Sequence, residues 1–144
     1  MTASEILTTL RDALALDDID STLRDSDEPA LLLEPDAVGP KEREVMMEIS
    51  VLPIADDKLH MQILSILTDT LSDAQTALLT PAMNRLNLSA FCGSYILLPD
   101  GSLAHRQVVP SSVDRCLEAI AAALEASLET LSADIEEIYS IIQT

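Results

Sequence analysis

Glycine is scarce. Gly39, Gly93 and Gly101 are the only three in 144 residues, too few and too scattered to build a phosphate-cradling loop, and GxGxxG, the P-loop and GxSxG are all missing. Cysteine is scarcer still. Cys92 and Cys116 cannot form a disulfide scaffold, and a chain of this length does not need one, so both are expected to be reduced and buried. Eight Lys and Arg stand against 25 Asp and Glu, a formal charge of −17, which repels the phosphates that supply most nucleic-acid affinity. Neither nucleic acid nor an anionic membrane surface is therefore an expected partner. No apolar run approaches the roughly 18 residues needed to span a bilayer, and residues 1–10 lack a basic segment and carry Glu5. The expectation is a cytoplasmic protein with no membrane contact.

What the chain does have is apolar side chains, 48% of the total. A chain of this length can bury about 70% of its unfolded surface around one core, so residues 1–144 read as a single folded domain. Over 4–16, Ile6, Leu7, Leu10, Ala13 and Leu14 recur at helical spacing, and Ser4, or Thr2 with Glu5 three residues on, can cap the start. Residues 17–29 carry Asp17, Asp18, Asp20, Asp25, Asp27 and Glu28 against Arg24 alone and end in Pro29. That composition predicts an exposed acidic connector. A strand is expected over 30–33, followed by a loop through Pro35, Gly39 and Pro40. Residues 44–51 alternate, with Val45, Met47, Ile49 and Val51 on one side and Glu44, Glu48 and Ser50 on the other, the pattern of a half-buried strand.

The stretch 59–71 fits both periods: Leu59, Met61 and Ile63 alternate, while Leu59, Ile63, Ile66 and Leu67 also line a helix. A helix is predicted from Ser72, restarting or kinking at Thr80-Pro81 and running on past Met83 and Leu86. Residues 91–98 and 103–109 read as a hairpin joined by Pro99-Asp100-Gly101. Over 112–142, Leu117, Ile120, Leu124, Leu128, Leu131, Ile135, Ile138 and Ile142 predict one long helix. At 1.5 Å per residue it is on the order of 45 Å long, enough to suggest that its far end overhangs the sheet or meets another chain.

Met83-Asn84-Arg85-Leu86-Asn87, then Phe91-Cys92-Gly93-Ser94-Tyr95-Ile96-Leu97, the Pro99-Asp100-Gly101 turn and a final amphipathic helix together resemble the YbjN-type family of bacterial proteins, whose relatives share the fold of type III secretion chaperones. The resemblance covers roughly residues 43–142 and involves no catalytic residue. It implies an α+β fold of order α-β-β-β-α-β-β-α, one antiparallel sheet flanked by helices, commonly as a homodimer, with 59–69 as the third strand.

Several side chains are of types that carry chemistry. Cys92, Cys116 and His105 are the ingredients of a zinc site or a nucleophilic pair, but no CxxC or HxxxH spacing and no activating motif surrounds them. The acidic runs at 17–20 and 25–28 lack the glycine and terminal glutamate of a calcium loop. Asn84 and Asn87 are expected to cap the middle helix, and Glu118, Glu125, Glu129 and Glu136 to form the solvated face of the last one. No metal or cofactor site is therefore expected. Met46, Met47 and Met61 suit either a core or an adaptable binding surface. If 59–69 is a strand, Leu64 and Ile66 point away from Leu59, Met61 and Ile63. With Met46 they are the candidate partner-binding residues. The expected function is that of a non-enzymatic module binding another polypeptide, a chaperone-like or regulatory adaptor favouring basic clients. The alternatives are a small hydrolase or metal-dependent enzyme using the Cys and His residues, and a structural subunit of a larger assembly.

Overall fold

The computed structural model describes residues 2–143. Helix α1 (Ala3–Leu16) begins at Thr2, whose hydroxyl accepts from the Glu5 amide at 3.2 Å, and buries Ile6, Leu7, Leu10 and Leu14. Five strands follow: β1 (Ser21–Arg24), β2 (Ala30–Leu33), β3 (Asp36–Val38), β4 (Arg43–Pro53) and β5 (Lys58–Ile66). Helix α2 (Asp73–Ser89), the hairpin of β6 (Ser94–Leu97) and β7 (Leu103–Ser112), and helix α3 (Cys116–Ile142) complete the chain. All pairings are antiparallel, in the order β1-β2-β4-β5-β7-β6, and β3 pairs with β4 beside the stretch that β2 occupies. The architecture is the expected α+β sheet flanked by helices, with two more strands before α2 than the predicted order contains.

Both additions lie in segments read as connectors. β1 pairs with β2 from Ser21↔Leu33 to Arg24↔Ala30 inside the supposed acidic connector. Its alternation is real but spans only four residues, with Leu23 turned towards the core and Thr22 and Arg24 exposed. β3 occupies the proline-bounded loop, where Gly39 at φ +80° makes the turn that folds Asp36–Val38 back onto β4. Of the ambiguous stretch, residues 59–66 lie in strand β5, which stops three residues short of the implied end at 69 and is held on both edges: Ile63 lies opposite Ile49 on β4 and Gln107 on β7. With two neighbours the strand satisfies its backbone in full, and this tips a sequence that local periodicity leaves undecided.

Helix α2 neither stops nor restarts at Pro81. Ser72 and Gln75 form a reciprocal capping box, and Leu79, Ala82 and Leu86 are buried on either side of the proline. Tertiary burial outweighs the one hydrogen bond that proline removes. Asn87 caps no carbonyl; its side chain accepts from the Tyr95 amide at 2.7 Å and donates to the Tyr95 carbonyl at 3.0 Å, clamping β6 to the end of α2. Asn84 is exposed.

All three helices lie on one face of the sheet. α1 packs on β1, β2 and β4, α3 crosses β3, β5 and β7, and α2 lies against α3 and β6. Between the layers sit Leu31, Val45, Met47, Ile49, Leu59, Met61, Ile63 and Leu103, together with the helix stripes. The 27 residues of α3 span about 40 Å, yet nothing overhangs: Ile135, Ile138 and Ile142 are buried, and Gln75 donates to the Ile142 carbonyl at 3.0 Å. The C-terminal half of the apolar stripe is covered within the chain by α2 and the sheet, so the reach of the helix gives no reason for a second copy; nearer its start Leu117 is exposed and Leu128 half-buried. Among the described residues no helix is long and apolar enough to cross a membrane.

Candidate functional site

Because strands alternate, the sheet's second face is made of the residues between those in the core. Register sets out its rows. Met46 lies beside Ile66, which lies beside Ala104 and then Ile96; Glu48, Leu64, Arg106 and Ser94 form the next row, and Ser50, Gln62 and Val108 the third. No helix covers this face among the described residues. Met46 is 43% exposed and Leu52 61% exposed, Leu64, Ile66 and Ile96 are half-buried, and the small Ala104 between Ile66 and Ile96 is fully buried. The three residues singled out from sequence, Met46, Leu64 and Ile66, thus stand together on an open sheet face. Met47 and Met61 are in the core at 2% and 1% exposure, so the three methionines divide between the two roles considered for them.

The face is also poor in acid. Of the chain's many carboxylates the strands put Glu44 and Glu48 there, and Glu48 is ion-paired to Arg24 at 3.5 Å. Arg106 donates to the Gln62 side chain at 2.6 Å and Lys58 lies at the far end. A shallow depression of about 170 Å³ opens between Ser50, Leu52, His60, Gln62, Arg106 and Val108. The negative charge lies elsewhere, on α3 and in the loops, a segregation that composition does not reveal.

The Cys and His residues take a different arrangement. His105 is fully buried on the inner face of β7, and its Nε2 lies 3.0 Å from the Cys92 carbonyl. A carbonyl only accepts, so Nε2 carries the proton and Nδ1 is left as an acceptor. Among the described residues Nδ1 has no partner, and neither does the Oγ of buried Ser65, the residue directly opposite on β5. Burial holds the imidazole pKa below its ordinary value. Tyr95, the neighbour on β6, meets the His105 ring edge-on at 5.1 Å and donates to Asp134 of α3 at 2.8 Å. Burial and the Asp134 carboxylate push the Tyr95 phenol well above its usual range. Gly93 is required here: it adopts φ +64°, and a Cβ on it would stand 2.4 Å from the Arg106 carbonyl and 2.8 Å from the His105 ring.

Cys92 is half-buried, where full burial was expected, and Cys116 is buried in the first turn of α3. Burial raises both thiols, the opposite of the depressed pKa an activated nucleophile needs. Among the described residues no group of three or more His, Cys, Asp or Glu side chains is placed to hold a metal ion. His105 and Cys92 therefore meet as ring and backbone carbonyl in a network that fastens β6 to β7 and α3. Sequence reasoning missed this network because its members come from three elements with no fixed spacing. Comparison of the chain with protein-family models, with curated proteins and with solved structures finds no match.

Proposed function

We propose that this protein is a non-enzymatic module that binds another polypeptide on the open face of its sheet, as a chaperone-like or regulatory adaptor of the kind its resemblance to YbjN-type and secretion-chaperone proteins implies. The observation that carries the reading is the placement of all three helices on one side, which leaves Met46, Leu64, Ile66 and Ile96 as an apolar patch in an acid-poor surround. Single exposed apolar residues are ordinary; contiguous ones rimmed by polar groups mark contact surfaces. The rim supplies Arg106, Gln62, Ser50 and His60 for hydrogen bonds, and Met46 supplies an adaptable side chain.

A homodimer belongs to the same proposal, and it now rests on this face and on the resemblance, since the end of α3 is covered. Light scattering after gel filtration should give about twice 15.6 kDa; a monomer at high micromolar concentration contradicts it. The partner surface is tested by photo-cross-linking in cells of the source organism. A cross-linker at position 46 or 66 should capture a discrete polypeptide, while one at Leu88, an exposed residue of α2, should not. Equal capture from both places, or none from the face, counts against the reading.

A further inference from the structure

The acid that the open face lacks is concentrated around a second surface on the opposite layer. Along α3, Ala121, Leu124, Leu128 and Ser132 form a stripe at spacings of three and four, and Ile19 from the turn after α1 closes the other wall. Between them runs a groove of about 640 Å³ whose floor is apolar: Leu124 is buried, and Leu128 and Ile19 are half-buried. The lining stripe covers eleven residue steps, about 16 Å or three turns of helix. Acidic residues accompany both walls. Glu125 and Glu129 line the groove and stand exposed on α3, and the neighbours of Ile19 in the chain, Asp17, Asp18 and Asp20, are exposed as well. None of these five carboxylates takes part in an ion pair among the described residues, where Arg11, Arg24, Arg43 and Arg85 pair with Asp12, Glu48, Glu136 and Glu137. Leu16, 87% exposed, lies three residues before Ile19 and adds apolar surface beside the turn.

We infer that this groove receives a basic amphipathic helix of about three turns from a partner protein, with apolar side chains on the Ile19–Leu124–Leu128 floor and Lys or Arg over the two acidic rims. Length and periodicity match a helix laid along α3, since apolar anchors at i, i+3, i+4 and i+7 meet a stripe of the same period. The charge decides the occupant's sign. Unpaired carboxylates beside both walls repel an acidic segment and favour a basic one over a neutral one, and a second copy meeting this groove with its own acidic α3 is disfavoured on the same ground, whereas a dimer through the acid-poor sheet face is not. The inference deepens the polypeptide-binding reading and takes from it only the class of partner; the groove shares no residue with the open sheet face.

The test uses the whole protein and a synthetic 18-residue helical peptide with Leu at i, i+3, i+4, i+7 and i+11 and Lys at the remaining exposed positions. Two control peptides accompany it: the same composition with Leu and Lys scrambled, and the same pattern with Glu in place of Lys. Fluorescence anisotropy should show saturable binding of the patterned basic peptide. The scrambled peptide should bind at least about tenfold more weakly, and the acidic one not at all. Reversing the rim in E125K/E129K should cost about tenfold or more in affinity, whereas D56K/D69K, the same charge change at exposed acids away from both surfaces, should stay within about twofold. Thermal unfolding confirms that both variants fold. Absent binding, equal binding of the scrambled peptide, or equal loss in the two double variants overturns the inference, the last two marking attraction to net charge alone. Ile66→Thr on the open face separates the two proposals: peptide affinity should not change, whether or not that face binds a partner.

Discussion

At the scale of residues, the most constrained place in the molecule is the contact of Gly93 with His105. A Cβ at position 93 meets backbone 2.4 Å away and sits at φ +64°, so Gly93→Ala should cost about 1–3 kcal/mol, read from urea unfolding. A loss below half a kcal/mol would mean that the loop yields easily. His105 gives the chain a pH signature. Its folded pKa lies below the ordinary value of 6.5 because burial disfavours the charged ring. The unfolded chain therefore binds the proton more readily, and the stability this group contributes is complete above about pH 6.5 and lost as pH falls through the folded pKa. Other charges also change with pH, so the comparison must be with His105→Phe. Between pH 7.5 and 5 the native protein should lose more unfolding free energy than the Phe variant does. Parallel pH profiles would show that the imidazole is not desolvated. None of this was legible in the sequence, where Gly93 and His105 are twelve positions apart with nothing in their spacing to join them.

At the scale of elements, legibility followed length and period. α1, β4 and α3 repeat their pattern over eight or more residues and stand where their apolar spacing puts them. β1 and β3 are four and three residues long, and each is held by a partner strand, which a local reading cannot supply. β5 was readable only as one of two alternatives, and its pairing with both β4 and β7 decided it. The reach of α3 shows the same limit. Periodicity told which side is apolar but not what covers it, and α2, held to α3 partly by Arg85–Glu137 at 3.0 Å, covers the far end. Ile138→Ala should therefore cost about 2–5 kcal/mol, as for any large buried aliphatic, whereas Leu117→Ala, at an exposed position, should cost less than about 0.5 kcal/mol. Equal small effects in chemical denaturation would mean that the end of α3 is not packed as described.

At the scale of the whole molecule, two layers and a segregated charge organise the account. The candidate residues Met46, Leu64 and Ile66 were legible once β5 is a strand, because alternation alone turns them from the core. That no helix lies over them was not legible, since the sequence does not say on which face α1 and α3 land. The acidic composition pointed to basic clients in general, and the structure divides that statement, with few acids on the sheet face and many along α3. The central claim is that the open face holds a partner polypeptide, and one comparison tests it most directly. Affinity capture from the source organism is carried out with the native protein and with Met46→Thr/Leu64→Thr/Ile66→Thr, which removes apolar surface from the face while keeping strand propensity and leaves the inner core untouched. The native protein should hold a polypeptide in stoichiometric amount, and the triple variant should lose it at unchanged fold. The same polypeptide retained equally by both proteins would contradict it.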